Sequence, residues 1–313
     1  MNLKGDNMKR IFLDTEKDGF YGAYYPNIEK SNKAIILMLG DAVDDRMAVS
    51  GVKWFQKQGC NVLAMSPAKK DYGHHNYPLE RFEAAIQYLK TQENNKIGIA
   101  GASTTGMLAL VAASYYHDIT LTIAITPSDF IMEGFYQDRL DGAHERPGIN
   151  ESSVSYKGKP LPYLPYAYRH PTYWQMIKKE SKESGNFIAS REMFRESERL
   201  HPVSEEEKIK VENIKGKIIF VGAEDDVLWD TCKYIKRMEK RLEAYAHDSQ
   251  YQSLLYKYGT HFVFPQTMLE SIIPLVSGLL IRFAFKSGRQ NPSECKKTRM
   301  DIDAKLSKAI VKW

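Results

Sequence analysis

From Lys33 onward the chain alternates short apolar runs with longer stretches whose apolar residues recur every three or four positions. "KAIILMLG" (33–40), "NVLAMSP" (61–67), "KIGIAG" (96–101), "LTIAITPS" (121–128), "KIIFVGAEDD" (217–226) and "YQSLLYKYGTH" (251–261) read as strands. Runs such as "AIILML" carry no polar residue on either face, which fits a strand covered on both sides rather than a half-exposed one. Between them, "MAVSGVKWFQKQG" (47–59), "LERFEAAIQYLKTQE" (79–93), "MLALVAASYY" (107–116) and "TCKYIKRMEKRLEAY" (231–245) have helical spacing. Strands alternating with helices predict a mostly parallel sheet with helices on both faces. "RIFLDTEKDGFYGAYYPN" (10–27) alternates and predicts an antiparallel hairpin at the sheet edge.

One segment breaks this rhythm. From about residue 128 to 214 the chain is rich in proline, tyrosine and lysine, as in "GINESSVSYKGKPLPYLPYAYRHPTYWQMIKKESKESGN". So long a stretch between two core strands predicts a lid-like insertion. Its aromatic residues either line an acyl or ring pocket or anchor the insertion to the core. No repeat or low-complexity linker interrupts the rest, so residues 1–313 are expected to form one α/β domain.

Composition narrows the class of function. Hydrophobic residues make up 43% of the chain, ample for a large core. The formal net charge of +5 is dispersed among nearby acids, which argues against nucleic acid and tolerates an anionic small substrate. Cys60, Cys232 and Cys295 stand far apart and outside any metal-ligand spacing, so neither a metal site nor a disulfide framework is expected. "MNLKGDNMKRIFLD" contains no apolar targeting segment and the longest apolar run (272–285) is broken by Ser277, Gly278 and Arg282. A cytoplasmic protein that does not insert in a membrane is the expectation.

The chemistry centres on "GASTTG" (101–106), where a buried strand must turn sharply into an apolar helix. A serine at such a turn has its hydroxyl pushed out of the backbone, the geometry of a nucleophile elbow. Ser103 occupies that position, although Thr105 stands where the G-x-S-x-G pattern calls for glycine. Two later strands end in the partners this serine needs, in the order acid then histidine. "KIIFVGAEDDVLW" ends in Asp225 and Asp226, either of which can supply the acid, with Glu224 a weaker third. "YKYGTHFVFP" carries His261 at the tip of a turn. All three groups fall just beyond the C-terminal ends of strands, where open α/β sheets form their sites.

These residues resemble the C-terminal catalytic domain of the acyl-CoA thioesterases and bile acid-CoA:amino acid N-acyltransferases, within the dienelactone-hydrolase-like α/β-hydrolases. The likeness runs through "AIILMLGDAVDD", "GIAGASTTG", "ITPSDF", "SYKGKPLPYLP", "FVGAEDDVLW" and "GTHFVFP". It implies an α/β-hydrolase fold, Ser103 as nucleophile, Asp226 rather than Asp225 as acid, and His261 as base. Met107 stands where the thioesterases tend to carry glutamate, the "GDAVDD" loop is more acidic than the family's, and the β-sandwich domain of two-domain members is not expected ahead of Lys33.

The expected reaction is hydrolysis of an acyl thioester, most simply acyl-CoA, with no cofactor, a small-molecule substrate as partner and no nucleic acid. The oxyanion is expected to meet the backbone N–H of Thr104 and a second one at Asp41 or Ala42. Lys157 and Lys159 are candidates for the phosphates of coenzyme A. An ester or acyl-peptide hydrolase is the first alternative; a binding protein that has lost turnover is the second.

Overall fold

A computed structural model describes residues 9–67, 74–136, 146–272 and 277–313. The chain opens with β1 (Ile11–Leu13), a short α1 (Thr15–Asp18) and β2 (Gly22–Tyr25), the antiparallel hairpin anticipated at the edge. Then come β3 (Lys33–Met38), α2 (Arg46–Lys57), β4 (Asn61–Met65), the two-residue β5 (Tyr77–Pro78), α3 (Glu80–Thr91), β6 (Lys96–Ala102), α4 (Thr104–Tyr115) and β7 (Ile119–Ile125). The insertion supplies β8 (Glu133–Tyr136), β9 (Arg146–Ser152), β10 (Val154–Tyr156), β11 (Lys159–Pro160), α5 (Thr172–Ser184) and α6 (Arg191–Leu200). The core resumes with β12 (Lys217–Ala223), α7 (Thr231–Ala244) and β13 (Gln250–Tyr256). It is followed by α8 (Gln266–Ile272), α9 (Ser277–Ala284), α10 (Lys286–Gln290) and α11 (Pro292–Lys312).

Eight strands form one sheet in the order β1-β2-β4-β3-β6-β7-β12-β13, parallel from β4 to β13. Alternate residues of each strand serve opposite cores. Ala34, Ile36 and Met38 pack with apolar residues of α3, α4 and α7; Ile35 and Leu37 pack with those of α2, α8 and α11. At about 1.5–3 kcal/mol per buried aliphatic side chain, this two-sided burial is what forbids polar alternation in "AIILML". The mostly parallel sheet with helices on both faces is the one the pattern predicts, and the fold is the α/β-hydrolase fold that the resemblance implies.

The insertion is tied down by polar and aromatic contacts. β10 runs parallel to β5, and the buried Glu133 carboxylate pairs with Arg169 and accepts the N–H of Tyr166 at 2.7 Å. Phe135, Tyr166, Tyr173 and Phe194 stack edge to face at 5.2–5.7 Å. Tyr166, Tyr173 and Phe194 also join the buried cluster that holds Phe82 and Phe220, and Phe194 stacks on Trp229, so these aromatics bind the insertion to the core. Residues 137–145, which fall within the expected insertion, lie outside the described residues. Where the chain leaves β7, buried Asp129 is held by the guanidinium of Arg237 on α7, which also binds Glu198 at 2.6 Å.

Candidate active site

The elbow is built by the residues around Ser103. β6 ends at Ala102, α4 begins at Thr104, and Ser103 between them adopts φ 61° and ψ −129°. A side chain at positive φ costs on the order of 1–3 kcal/mol and persists only where the surroundings enforce it. Enforcement comes from the neighbouring strand β7 and from the first turn of α4. Ser103 N–H donates to Ile125 O at 2.8 Å, and its carbonyl accepts from Gly106 at 2.9 Å and Met107 at 3.1 Å. Gly101 and Gly106 admit no side chain: an added Cβ would lie 2.1 Å from Thr105 O in the first case and 2.7 Å from Ile125 O in the second.

Thr105 has a place of its own in this turn. Its Oγ1 lies 2.8 Å from Met38 O at the end of β3, 2.8 Å from Ala102 O, and accepts Ala102 N–H at 3.0 Å. The departure from glycine thus adds a buried polar clasp between the elbow and β3. Met107, where relatives tend to carry glutamate, is buried, and its sulfur receives Met132 N–H at 3.3 Å.

The acid and histidine turns meet beyond β12 and β13. His261 Nδ1 lies 2.8 Å from Asp226 Oδ2, a carboxylate fully removed from solvent. Asp226 also accepts Thr231 Oγ1 at 2.5 Å and Leu228 N–H at 2.9 Å. A carboxylate partner favours the proton on Nδ1, the tautomer in which Nε2 of the neutral ring is the acceptor. Nε2 is buried and has no hydrogen-bond partner, Ser103 included. Trp229 packs its ring edge-on to the imidazole at 4.9 Å and donates its N–H to Thr126 O at 3.1 Å. Thr126 follows Ile125, the residue that holds Ser103 N–H, so serine turn, acid turn and imidazole share one contact chain. Phe194 stacks on Trp229 at 5.2 Å and extends that chain into the insertion.

Asp225 turns away from the imidazole. Its Oδ1 accepts the N–H groups of Gly259 at 2.9 Å and Thr260 at 2.7 Å, and its Oδ2 accepts Ser287 Oγ. It therefore clamps the backbone that presents His261, including Thr260 at φ 62°. Burial raises the pKa of its carboxyl, against the opposing effect of these three bonds. Glu224 is exposed. Thr231 and the clamp by Asp225 are site features that sequence reasoning missed; Thr231 stands five residues from Asp226, whereas the clamp depends on Gly259, Thr260 and Ser287, far along the chain.

The loop after β3 differs from expectation. The N–H groups of Asp41 and Ala42, expected as oxyanion donors, both donate to Asp45 Oδ2, at 2.7 and 3.0 Å. Asp45 is the N-cap of α2, its Oδ1 accepting Ala48 N–H at 2.9 Å, and one carboxylate thus satisfies a helix terminus and the loop together. Gly40, at φ 78°, makes room for it, since a Cβ there would lie 2.3 Å from Asp45 Oδ1. The capping signal was present in the sequence, an aspartate directly before a helical stretch. Thr104 N–H, at the first position of α4, has no intrahelical acceptor.

Other candidates lie apart from this chemistry. Lys157 and Lys159 are exposed at the β10–β11 turn. The three cysteines are free and buried, and burial pushes the thiols up to about 11 for Cys60 and Cys295 and about 12 for Cys232, so none is an activated nucleophile. Among the described residues no group of three metal-binding side chains occurs, and no helix is long and apolar enough to cross a membrane.

Comparison with known proteins bears on the fold and on the family. Across 98% of the chain the fold matches 99% of MGS-M1, an alpha/beta hydrolase enzyme from a Medee basin deep-sea metagenome library, with a TM-score of 0.53 at 13% identity. It also matches, over 95% of this chain and 97% of the other, a Klebsiella pneumoniae subsp. pneumoniae protein assigned to the dienelactone hydrolases, with a TM-score of 0.50 at 8% identity. At such identities these structures speak for the fold. No curated protein matches the sequence. The profile described as "BAAT / Acyl-CoA thioester hydrolase C terminal" matches residues 77–268, more than half of the chain and the span that holds Ser103, Asp226 and His261, and the chain accordingly belongs to that hydrolase family.

Proposed function

We propose that the protein hydrolyses an acyl thioester or ester through Ser103, His261 and Asp226, with acyl-CoA the substrate class that family membership favours. The observation that carries this reading is the coincidence of a serine held at positive φ with a buried imidazole whose Nδ1 is fixed by Asp226 and whose Nε2 is unpartnered. Nε2 takes the proton of Ser103 Oγ as that oxygen attacks the carbonyl carbon, and Asp226 stabilises the imidazolium. The imidazolium then protonates the departing thiolate or alkoxide, leaving an acyl-serine. Water attacks the acyl-serine with Nε2 again as base, releasing the acid and restoring Ser103. Thr104 N–H meets the oxyanion, and a second donor comes free when the Asp45 carboxylate turns away from Asp41 and Ala42.

One observation favours a second reading. With Asp45 bound to both loop N–H groups, a chain that never releases them would bind ligand without turnover. Labelling with a fluorophosphonate separates the two. Labelling of the native protein that is lost in Ser103→Ala and His261→Ala supports an activated serine, and protection by coenzyme A supports the thioester over the ester. A native protein that takes no label refutes the hydrolase reading.

A further inference from the structure

The turn that carries Asp226 is gripped by the insertion. Ser190 is the N-cap of α6, and there the N–H groups of Ser190 and Arg191 both donate to Val227 O, at 3.0 and 3.1 Å. Ser190 Oγ donates to Leu228 O at 2.8 Å, and Arg191 Nη2 donates to Glu224 O at 3.2 Å. One turn further along the helix, the guanidinium of Arg195 forks onto both oxygens of Asp230, at 2.7 and 2.8 Å. Phe194, beside it in the chain, meets the ring of Trp229.

These contacts lead to the carboxylate by two routes. Val227 O belongs to the same peptide group as Leu228 N–H, which donates to Asp226 Oδ1 at 2.9 Å. A peptide group is planar, so two bonds on its oxygen also fix the direction of its N–H. They polarise the group as well, which strengthens the bond that it donates. The second route runs through Asp230, which immediately precedes Thr231, the residue whose hydroxyl donates to Asp226 Oδ2 at 2.5 Å. Oδ2 is the oxygen that meets His261 Nδ1, so α6 holds the backbone behind both of the other bonds to Asp226.

Resting on the hydrolase reading above, we infer that Ser190, Arg191 and Arg195 are positioning residues for Asp226: the start of α6 orients the acid turn and, through it, the imidazole that takes the proton of Ser103. They act through Leu228 and Thr231. A displacement of about 1 Å in such a constellation can cost about 10²-fold in rate, so the grip matters more to turnover than to stability. Arg195 is half-exposed, and an ion pair in that setting adds little to folding. The insertion is thereby part of the active site, and α6 cannot swing away with a lid without loosening the acid.

The test compares Ser190→Ala, Arg195→Met and the two combined in the full chain, with p-nitrophenyl acetate as substrate. In the combined variant kcat falls about tenfold while KM holds, because the acid shifts and the seat of the substrate does not. Proton NMR reads the same hydrogen bond without turnover. The far-downfield signal of the His261 Nδ1 proton, identified by its loss in His261→Ala, moves upfield and exchanges faster with water. Arg195→Lys, which keeps a cation beside Asp230, recovers part of both effects. Arg199→Met removes a guanidinium of the same helix whose partner is Glu196, and changes neither. A combined variant with native kcat and an unmoved signal, weakened only in chemical denaturation, overturns the inference and leaves the hydrolase reading standing. A native protein without ester turnover, whose downfield signal still moves in the combined variant, supports the inference and removes that reading.

Discussion

The two adjacent aspartates make a controlled experiment within one turn. Asp226 receives three hydrogen bonds, from His261 Nδ1, Thr231 Oγ1 and Leu228 N–H, divided over both oxygens. In Asp226→Asn one oxygen becomes an NH₂ group. The amide oxygen must stay with Leu228 N–H, a donor that has no alternative, so the NH₂ faces the imidazole. His261 can accept from it only by moving its own proton to Nε2, and a protonated Nε2 is no base for Ser103. The expected loss is about 10⁴-fold in kcat, near 5.5 kcal/mol of transition-state stabilisation, with thermal unfolding little changed. Asp225→Asn is the counterpart. Gly259 and Thr260 both donate to Oδ1, so one amide oxygen serves them, and the Ser287 hydroxyl can reverse to accept from the amide nitrogen. About 1 kcal/mol, or roughly fivefold in rate, is the most this should cost. The assay is the second-order rate of fluorophosphonate labelling beside ester turnover, with circular dichroism to verify folding. A large loss in Asp225→Asn with near-native rates in Asp226→Asn would falsify the pairing of His261 with Asp226 as the source of its basicity.

Three further outcomes follow from the same contacts. Burial raises the pKa of Asp225 in the folded state, so this carboxyl binds its proton more tightly folded than unfolded. Its penalty on stability is absent below the unfolded carboxylate pKa and grows as pH rises through the folded one; Asp225→Asn should therefore gain on the native protein in melting temperature as pH is raised from the acid range to neutrality, and a constant difference would refute this. Thr105→Ala strips the buried Ala102 N–H and Met38 O of their shared partner and should cost about 1–3 kcal/mol in chemical denaturation, a loss that Thr105→Gly does not recover. Asp45→Ala removes a helix cap worth about 1 kcal/mol yet releases two N–H groups, so stability should fall while fluorophosphonate labelling quickens; an unchanged labelling rate would place the second oxyanion donor elsewhere.

What could be read from the sequence divides along a physical line. The strands that carry the site announce themselves through local pattern, because two-sided burial leaves no room for polar residues at positions 34–38, 97–102 or 218–223. The elbow is equally local: Gly101 is obligatory because its absent Cβ would meet a carbonyl only four residues along the chain. The long helix α11 was also within reach, since Ile302, Leu306, Ala309 and Ile310 fall on one face, but its polar content masks them. The roles of paired residues are different in kind. Nothing near Asp225 and Asp226 in the chain says which one meets His261, since the decision depends on Gly259, Thr260 and Ser287, brought together only by the neighbouring strand and the C-terminal helices.

The same distinction applies to the loop after Gly40, whose N–H groups are already bonded within the loop. The loop follows the end of β3, and position alone would assign its N–H groups to the oxyanion. Yet Asp45 lies three and four residues further on, which is the reach of a capping carboxylate, and it claims both N–H groups as well as the one at Ala48. A cap and an oxyanion compete for the same positive end of the same backbone. Any catalytic cycle that uses these donors must therefore exchange one anion for another, with the developing charge on the substrate oxygen displacing a full carboxylate that is already bonded. Such an exchange favours substrates that bring binding energy of their own to the site.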